Sequence, residues 1–167
     1  MNSFETFLQS IRPELYILVQ AMIALLLGGL LGWERETAHK WAGLRTHMLV
    51  CMASMMFVRV GQILIADSQR VLNPETLRTD PVRIIEAIVT GVAFLGAGTI
   101  FRDRASLTMR GLTTAASLLI TAPIGIAVAL DRYILAAGTA LLALFVLRIV
   151  AHLEPRFHEA SDQMPRQ

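Results

Sequence analysis

The stretch GWERETAHKWAGLRTHM, residues 32–48, places two carboxylates (Glu34, Glu36), three bases (Arg35, Lys40, Arg45) and two imidazoles (His39, His47) between two apolar runs. A second polar stretch, FRDRASLTMRG at 101–111, adds Arg102, Asp103, Arg104 and Arg110. Carboxylates are hard oxygen donors of the kind Mg²⁺ accepts through bridging water. Here arginines stand beside each of them and compete for the same oxygens, so the spacing does not define a metal site. Two chemistries remain. One is an ion-pair scaffold that orients helix ends, in which exposed pairs contribute only about 0–1 kcal/mol each. The other is a contact rim for a cation or a protein partner, made of Glu34, Arg35, Glu36, Arg45, Asp103 and Arg110.

Two further charges lie inside apolar runs. Arg59 stands about 12 residues past His47, about 18 Å along a helix, and Glu86 lies about one turn inside the next run. Both belong to the same half of the membrane if the runs are antiparallel, and they are expected to pair, because an unpaired charge at the centre of a membrane helix costs roughly 2.5–3.5 kcal/mol. His47 and Cys51 are one helical turn apart and resemble half of a metal site, with no second half in the sequence. Met48, Met52, Met55 and Met56 read as packing. No Ser/His/Asp set, phosphate-binding loop or zinc spacing is present, so the sequence offers no catalytic residue and calls for no cofactor.

These groups must be positioned by membrane helices. The chain has 167 residues, 54% hydrophobic and only 17% charged, against about a quarter charged in soluble domains. Its apolar residues fall in five blocks, about 15–33, 47–66, 82–101, 111–130 and 133–151, each near the roughly 20 residues that cross a bilayer as a helix. Open sheets cannot satisfy their backbone in lipid. The expected fold class is therefore all-α, a polytopic bundle of five transmembrane helices. Phe4, Phe7, Leu8 and Ile11 form one helical face, which predicts a short N-terminal interfacial helix ending at Pro13. Residues 1–151 make the membrane domain and 152–167 a short tail.

Smaller signals refine the helix ends. Asp80–Pro81 reads as an N-cap followed by a first-turn proline. Asn73–Leu77 repeats the pattern and predicts one helical turn. Pro123 should kink or break the fourth span. Asp131–Arg132 alone separates spans four and five, which requires a tight hairpin. Gly28 and Gly32 form a G-x-x-x-G motif, and Gly91, Gly96 and Gly98 punctuate span three. Small residues of this kind allow close helix packing, within the chain or in a homo-oligomer. On one side lie Arg35, Lys40, Arg45, Arg102, Arg104, Arg110, Arg148, Arg156 and Arg166, and on the other Arg12, Arg70, Arg78, Arg83 and Arg132. The richer side is expected to be cytoplasmic, which puts the N-terminus outside and the C-terminus inside. A net charge of +2 gives no case for nucleic acid.

The blocks GWERE, AGLRTHMLV, DPVRI, GVAFLGAGTIFRD and RGLTTAASL, in that order over roughly residues 20–150, resemble the signature of the MgtC/SapB family of bacterial inner-membrane proteins. The resemblance implies a five-span fold and a role in adaptation to magnesium limitation and, for some members, in survival inside host cells. It implies partners among other membrane proteins, including the proton ATP synthase. It carries the family's motif charges onto Glu34, Arg35, Glu36, Arg45, Asp103 and Arg110. Many such proteins have a soluble C-terminal domain, and this chain resembles a short form without it. Arg59 and Glu86 depart from the family pattern. The expected function is a non-enzymatic membrane protein that acts by contacting others; the alternative is a Mg²⁺ transporter or channel.

Overall fold

The structure, a computed structural model, describes residues 3–71, 80–102 and 108–150, with side chains for 11–68, 80–102 and 108–149. Asp103, the 73–77 segment, the 152–167 tail and the side chains of Phe4, Phe7 and Leu8 lie outside the described residues. Among the described residues there are five α-helices: α1 (Ser3–Thr37), α2 (Leu44–Val71), α3 (Pro81–Ala97), α4 (Leu112–Ala129) and α5 (Tyr133–Phe145), the last followed by a π-helical turn, Val146–Val150. Two-residue strands, β1 (Phe101–Arg102) and β2 (Met109–Arg110), pair antiparallel before α4. Three segments, Ile11–Thr37, Leu44–Ser68 and Leu112–Ala129, are long and apolar enough to cross a membrane. The chain is an all-α membrane bundle.

The helix ends differ from the sequence expectation in instructive ways. No break occurs at Pro13: α1 runs through it, so the segment expected to form a separate interfacial helix is the first part of one long helix. Proline removes a single backbone bond, and the remaining turns on either side carry the helix on. Pro123 likewise sits inside an unbroken α4. Helix α3 stops at Ala97, short of the expected 101, because the chain turns into the small ladder that pairs Phe101 with Arg110. Its start follows expectation, with the Asp80 carboxylate accepting the Val82 N–H at 2.9 Å and Pro81 in the first turn.

Two tight corners reverse the chain. At the end of α1, His39 N–H donates to Glu36 O and Lys40 N–H to Arg35 O, both at 3.0 Å, with His39 at φ +53. At the end of α4, Asp131 N–H donates to Val128 O (3.1 Å) and Arg132 N–H to Ala127 O (2.9 Å), with Asp131 at φ +59. Both are Schellman motifs, in which one left-handed residue lets two orphan carbonyls find donors. His and Asp tolerate that conformation better than most side chains.

Helix α4 occupies the middle and touches all four other helices. It is apolar around most of its circumference, and Leu118, Ala122, Ile124 and Val128 are fully buried. Helices α1 and α2 pack closely because Gly28 and Gly32 present bare backbone to α2. A Cβ on Gly28 would lie 2.6 Å from His47 O, and one on Gly32 would lie 2.7 Å from Leu44 Cα. Gly96 faces Ala115 of α4 at ordinary contact distance, and Gly98 caps α3. Gly91 meets nothing within 4 Å, so it makes no helix contact among the described residues.

Candidate functional site

The charged stretch that joins α1 to α2 does not form one exposed rim. Consecutive helical residues point about 100° apart, and packing divides them. Arg35 is 2% exposed and turns inward with Glu34, its Nε and Nη2 donating to the two carboxylate oxygens at 2.5 and 2.8 Å. Nη2 also reaches Leu147 O at 3.4 Å, which ties the end of α1 to the π-helical turn. Glu36 faces outward and accepts the Leu44 N–H at 3.0 Å. Its carboxylate thus caps α2, where the helix dipole favours negative charge. Arg45 is exposed in the first turn of α2, and Arg110 is exposed on β2. Among the described residues the expected single surface is therefore divided into a buried pair, a helix cap and two exposed cations.

Behind the corner, His47 is fully buried. One ring nitrogen meets Gly43 O at 2.9 Å and the other meets Ser117 Oγ at 3.1 Å. The ring joins α2 to α4, and both nitrogens are engaged. Cys51 is buried against Gly28 and Gly125. The notion of these two residues as half of a metal site gives way to one of packing. In front of the corner, a cavity of about 630 Å³ is lined by Trp33, Glu36, Trp41, Gly43 and Arg45. Both tryptophans are exposed, and Trp41 also packs edge-on against Phe101 at 5.1 Å.

A second polar cluster lies at the opposite end of the bundle, and here the sequence expectation needs correction. Arg59 does not pair with Glu86, which stands exposed on α3. It pairs with Asp131 at the α4–α5 corner, Nη2 to Oδ2 at 3.1 Å, because α2 packs closely on α4 and presents Arg59 to that corner. Arg59 Nε donates to Gln20 Oε1 at 2.6 Å and Nη1 to Gln62 Oε1 at 2.9 Å. Fully buried Gln20 donates in turn to Val128 O (2.9 Å) and Asp131 Oδ1 (2.7 Å). The hydroxyls of Tyr16 and Tyr133 donate to the same Oδ1 at 2.5 and 3.0 Å. Tyr16 holds the Asp131 carboxyl below the usual carboxylate range, assisted by Tyr133 and the Arg59 guanidinium. Four helices, α1, α2, α4 and α5, are joined by this network.

Sequence reading missed Gln20, Tyr16 and Tyr133. Their only signal was a polar atom within, or at the start of, an apolar run, which in a membrane must find a partner. Among the described residues no three His, Cys, Asp or Glu side chains gather as a metal ion would require.

With this geometry in hand, comparison with known proteins is specific. The MgtC family pattern matches residues 21–156. The chain is 37% identical over 136 residues to the Escherichia coli (strain K12) protein named "Putative magnesium transporter YhiD", covering 81% of this chain and 61% of that protein. It is 36% identical over 132 residues to protein MgtC of Brucella abortus (strain 2308), covering 79% and 49%. It is 38% identical over 118 residues to protein MgtC of Salmonella typhimurium (strain LT2), covering 71% and 45%. The chain thus spans about half to three-fifths of the length of the relatives it matches. No solved structure matches it.

Proposed function

Because the chain belongs to the MgtC family, we propose that it serves magnesium homeostasis, or adaptation to envelope stress, as a non-enzymatic inner-membrane protein that acts by contacting other membrane proteins. By the family resemblance, the proton ATP synthase is a partner to test first. The proposed topology has five crossings, the N-terminus outside and the α1–α2 corner in the cytoplasm, following the bias of the basic residues.

One observation carries this reading. The Arg59–Asp131 pair and the amides and hydroxyls around it are spent on tying helices together, and Arg35, paired with its neighbour Glu34 within α1, reaches across to Leu147 O. A carrier keeps polar groups converging on a path near mid-membrane, often at broken helices; α4 is unbroken at Pro123. The corner, by contrast, offers Trp33, Trp41 and Arg45 around an open cavity. Tryptophan and arginine are the types that dominate binding energy at protein interfaces.

The second reading is a cation transporter, favoured by the words "magnesium transporter" in the name of the E. coli relative. Reconstituted liposomes separate the two. The expected result is Mg²⁺ uptake no faster than in protein-free vesicles, together with a co-purifying membrane protein that is lost on Trp41→Ala or Arg45→Ala. Truncating an aromatic anchor of this kind costs about 2 kcal/mol or more, roughly thirtyfold in affinity. Uptake that a point change in the bundle abolishes would sink the contact reading.

A further inference from the structure

Helix α3 turns one side to the bundle and leaves the other uncovered. Ile88, Val92 and Gly96 are its buried residues, four apart, and they form the side packed on α4 and α2. The opposite side carries Arg83, Ala87, Thr90, Phe94 and Ala97, at alternating intervals of four and three residues. All five are exposed, Phe94 by 79%. That interval keeps one stripe facing a helix that runs alongside. Thr90 already donates its hydroxyl to Glu86 O at 2.8 Å, so the stripe permits close approach with no idle donor. Glu86 lies at its edge, exposed and one turn from Arg83. Neither charged side chain has a partner among the described residues. Opposite charges left unpaired on the outward side of an apolar helix are unfavourable in a membrane.

From these observations we propose that the uncovered face of α3 is the seam of a homodimer, in which Arg83 of each copy bonds Glu86 of the other. A second copy is the occupant because the face complements itself. Copies inserted in one orientation are related by a twofold axis along the membrane normal, so their α3 helices run side by side at equal depth. Arg83 and Glu86 then differ in depth by only about 4.5 Å, within the reach of an arginine side chain, and the symmetry makes two such pairs. Charge-assisted bonds of this type are roughly twice as strong as neutral ones. The proposal rests on α3 crossing the bilayer, as in the topology above, and not on contact with other proteins.

The test is dimerisation of the full chain in liposomes, read by energy transfer between fluorescently tagged copies over a range of dilution in lipid. Glu86→Arg makes the charges of the seam all basic and Arg83→Glu makes them all acidic. Each variant alone should therefore self-associate about tenfold more weakly than the parent. An equal mixture of the two should associate within about threefold of the parent, and only as mixed pairs. Recovery in the mixture cannot come from a pair closed inside one chain, nor from misfolded variants. Ala87→Cys should crosslink in the membrane under mild oxidation, while Leu141→Cys, on the exposed side of α5, should not. An impermeant maleimide should label Val82→Cys and Ala97→Cys from opposite sides of sealed vesicles, which checks the crossing separately. A monomeric parent, a mixture as weak as its parts, or crosslinking at Leu141→Cys in place of Ala87→Cys would overturn the seam. Labelling of both ends of α3 from one side would overturn the seam together with the topology it stands on.

Discussion

Asp131 accepts bonds from Tyr16, Gln20, Arg59 and Tyr133, and so concentrates four helices on one carboxylate. Because Tyr16 first, then Tyr133 and Arg59, lower its folded pKa below the unfolded value, the sign of its pH dependence is fixed. Its stabilisation is full above the ordinary carboxylate pKa of about 3.9 and is lost as pH falls through the lower folded value. The melting temperature in detergent should stay level from neutral pH to about 5 and drop below it, and the drop should be shallower in Asp131→Asn. A double-mutant cycle should find coupling of about 1 kcal/mol between Arg59 and Asp131, modest because Asp131 is half exposed. The Arg59–Glu86 cycle should find none. The partner of Arg59 was illegible in the sequence for a physical reason. Its acid sits in a two-residue turn 72 positions on, and a helical pattern fixes depth along one helix without saying which neighbour faces it.

At the scale of elements, the glycines make the contrast sharp. Gly28→Ala should destabilise the chain by about 1–3 kcal/mol, since its Cβ would press on the His47 carbonyl and α1 and α2 would have to separate. Gly91→Ala, which meets open space on a helix, should instead stabilise by about 0.5–1 kcal/mol. Denaturant melts followed by circular dichroism measure both, and similar losses for the two would refute this account of the packing. Much at this scale could be read in advance: the apolar blocks gave the five helices, Asp80–Pro81 gave the start of α3, and Gly28–Gly32 gave a close approach. Pro13 misled, and Pro123 does not break α4, because proline removes one bond while a long helix keeps many. The division of Glu34, Arg35 and Glu36 between interior and exterior was also beyond reach, because it depends on where α5 ends and α2 begins.

At the scale of the whole molecule, Cys51 is the single thiol and has no exposed surface. It lies where α1, α2 and α4 meet, with Gly28 and Gly125 pressed against its residue. Local fraying at either end of the bundle leaves it covered. Maleimide labelling of the intact protein should therefore be slow, and should accelerate only over the denaturant range in which helix content is lost. Rapid labelling of a fully helical protein would mean that the three helices part without unfolding, as a rocking carrier requires.

The Arg59–Asp131 bond also has a bearing on the order of events at the ribosome. Arg59 leaves the tunnel 72 residues ahead of its acid, a delay of roughly 4–14 s at typical synthesis rates. During that interval the guanidinium has Gln20, Gln62 and the ring of Tyr16 for company, all made already. The first helical pair must therefore wait, its cation provisionally lodged on two amides, until the last hairpin delivers the carboxylate that fastens the bundle.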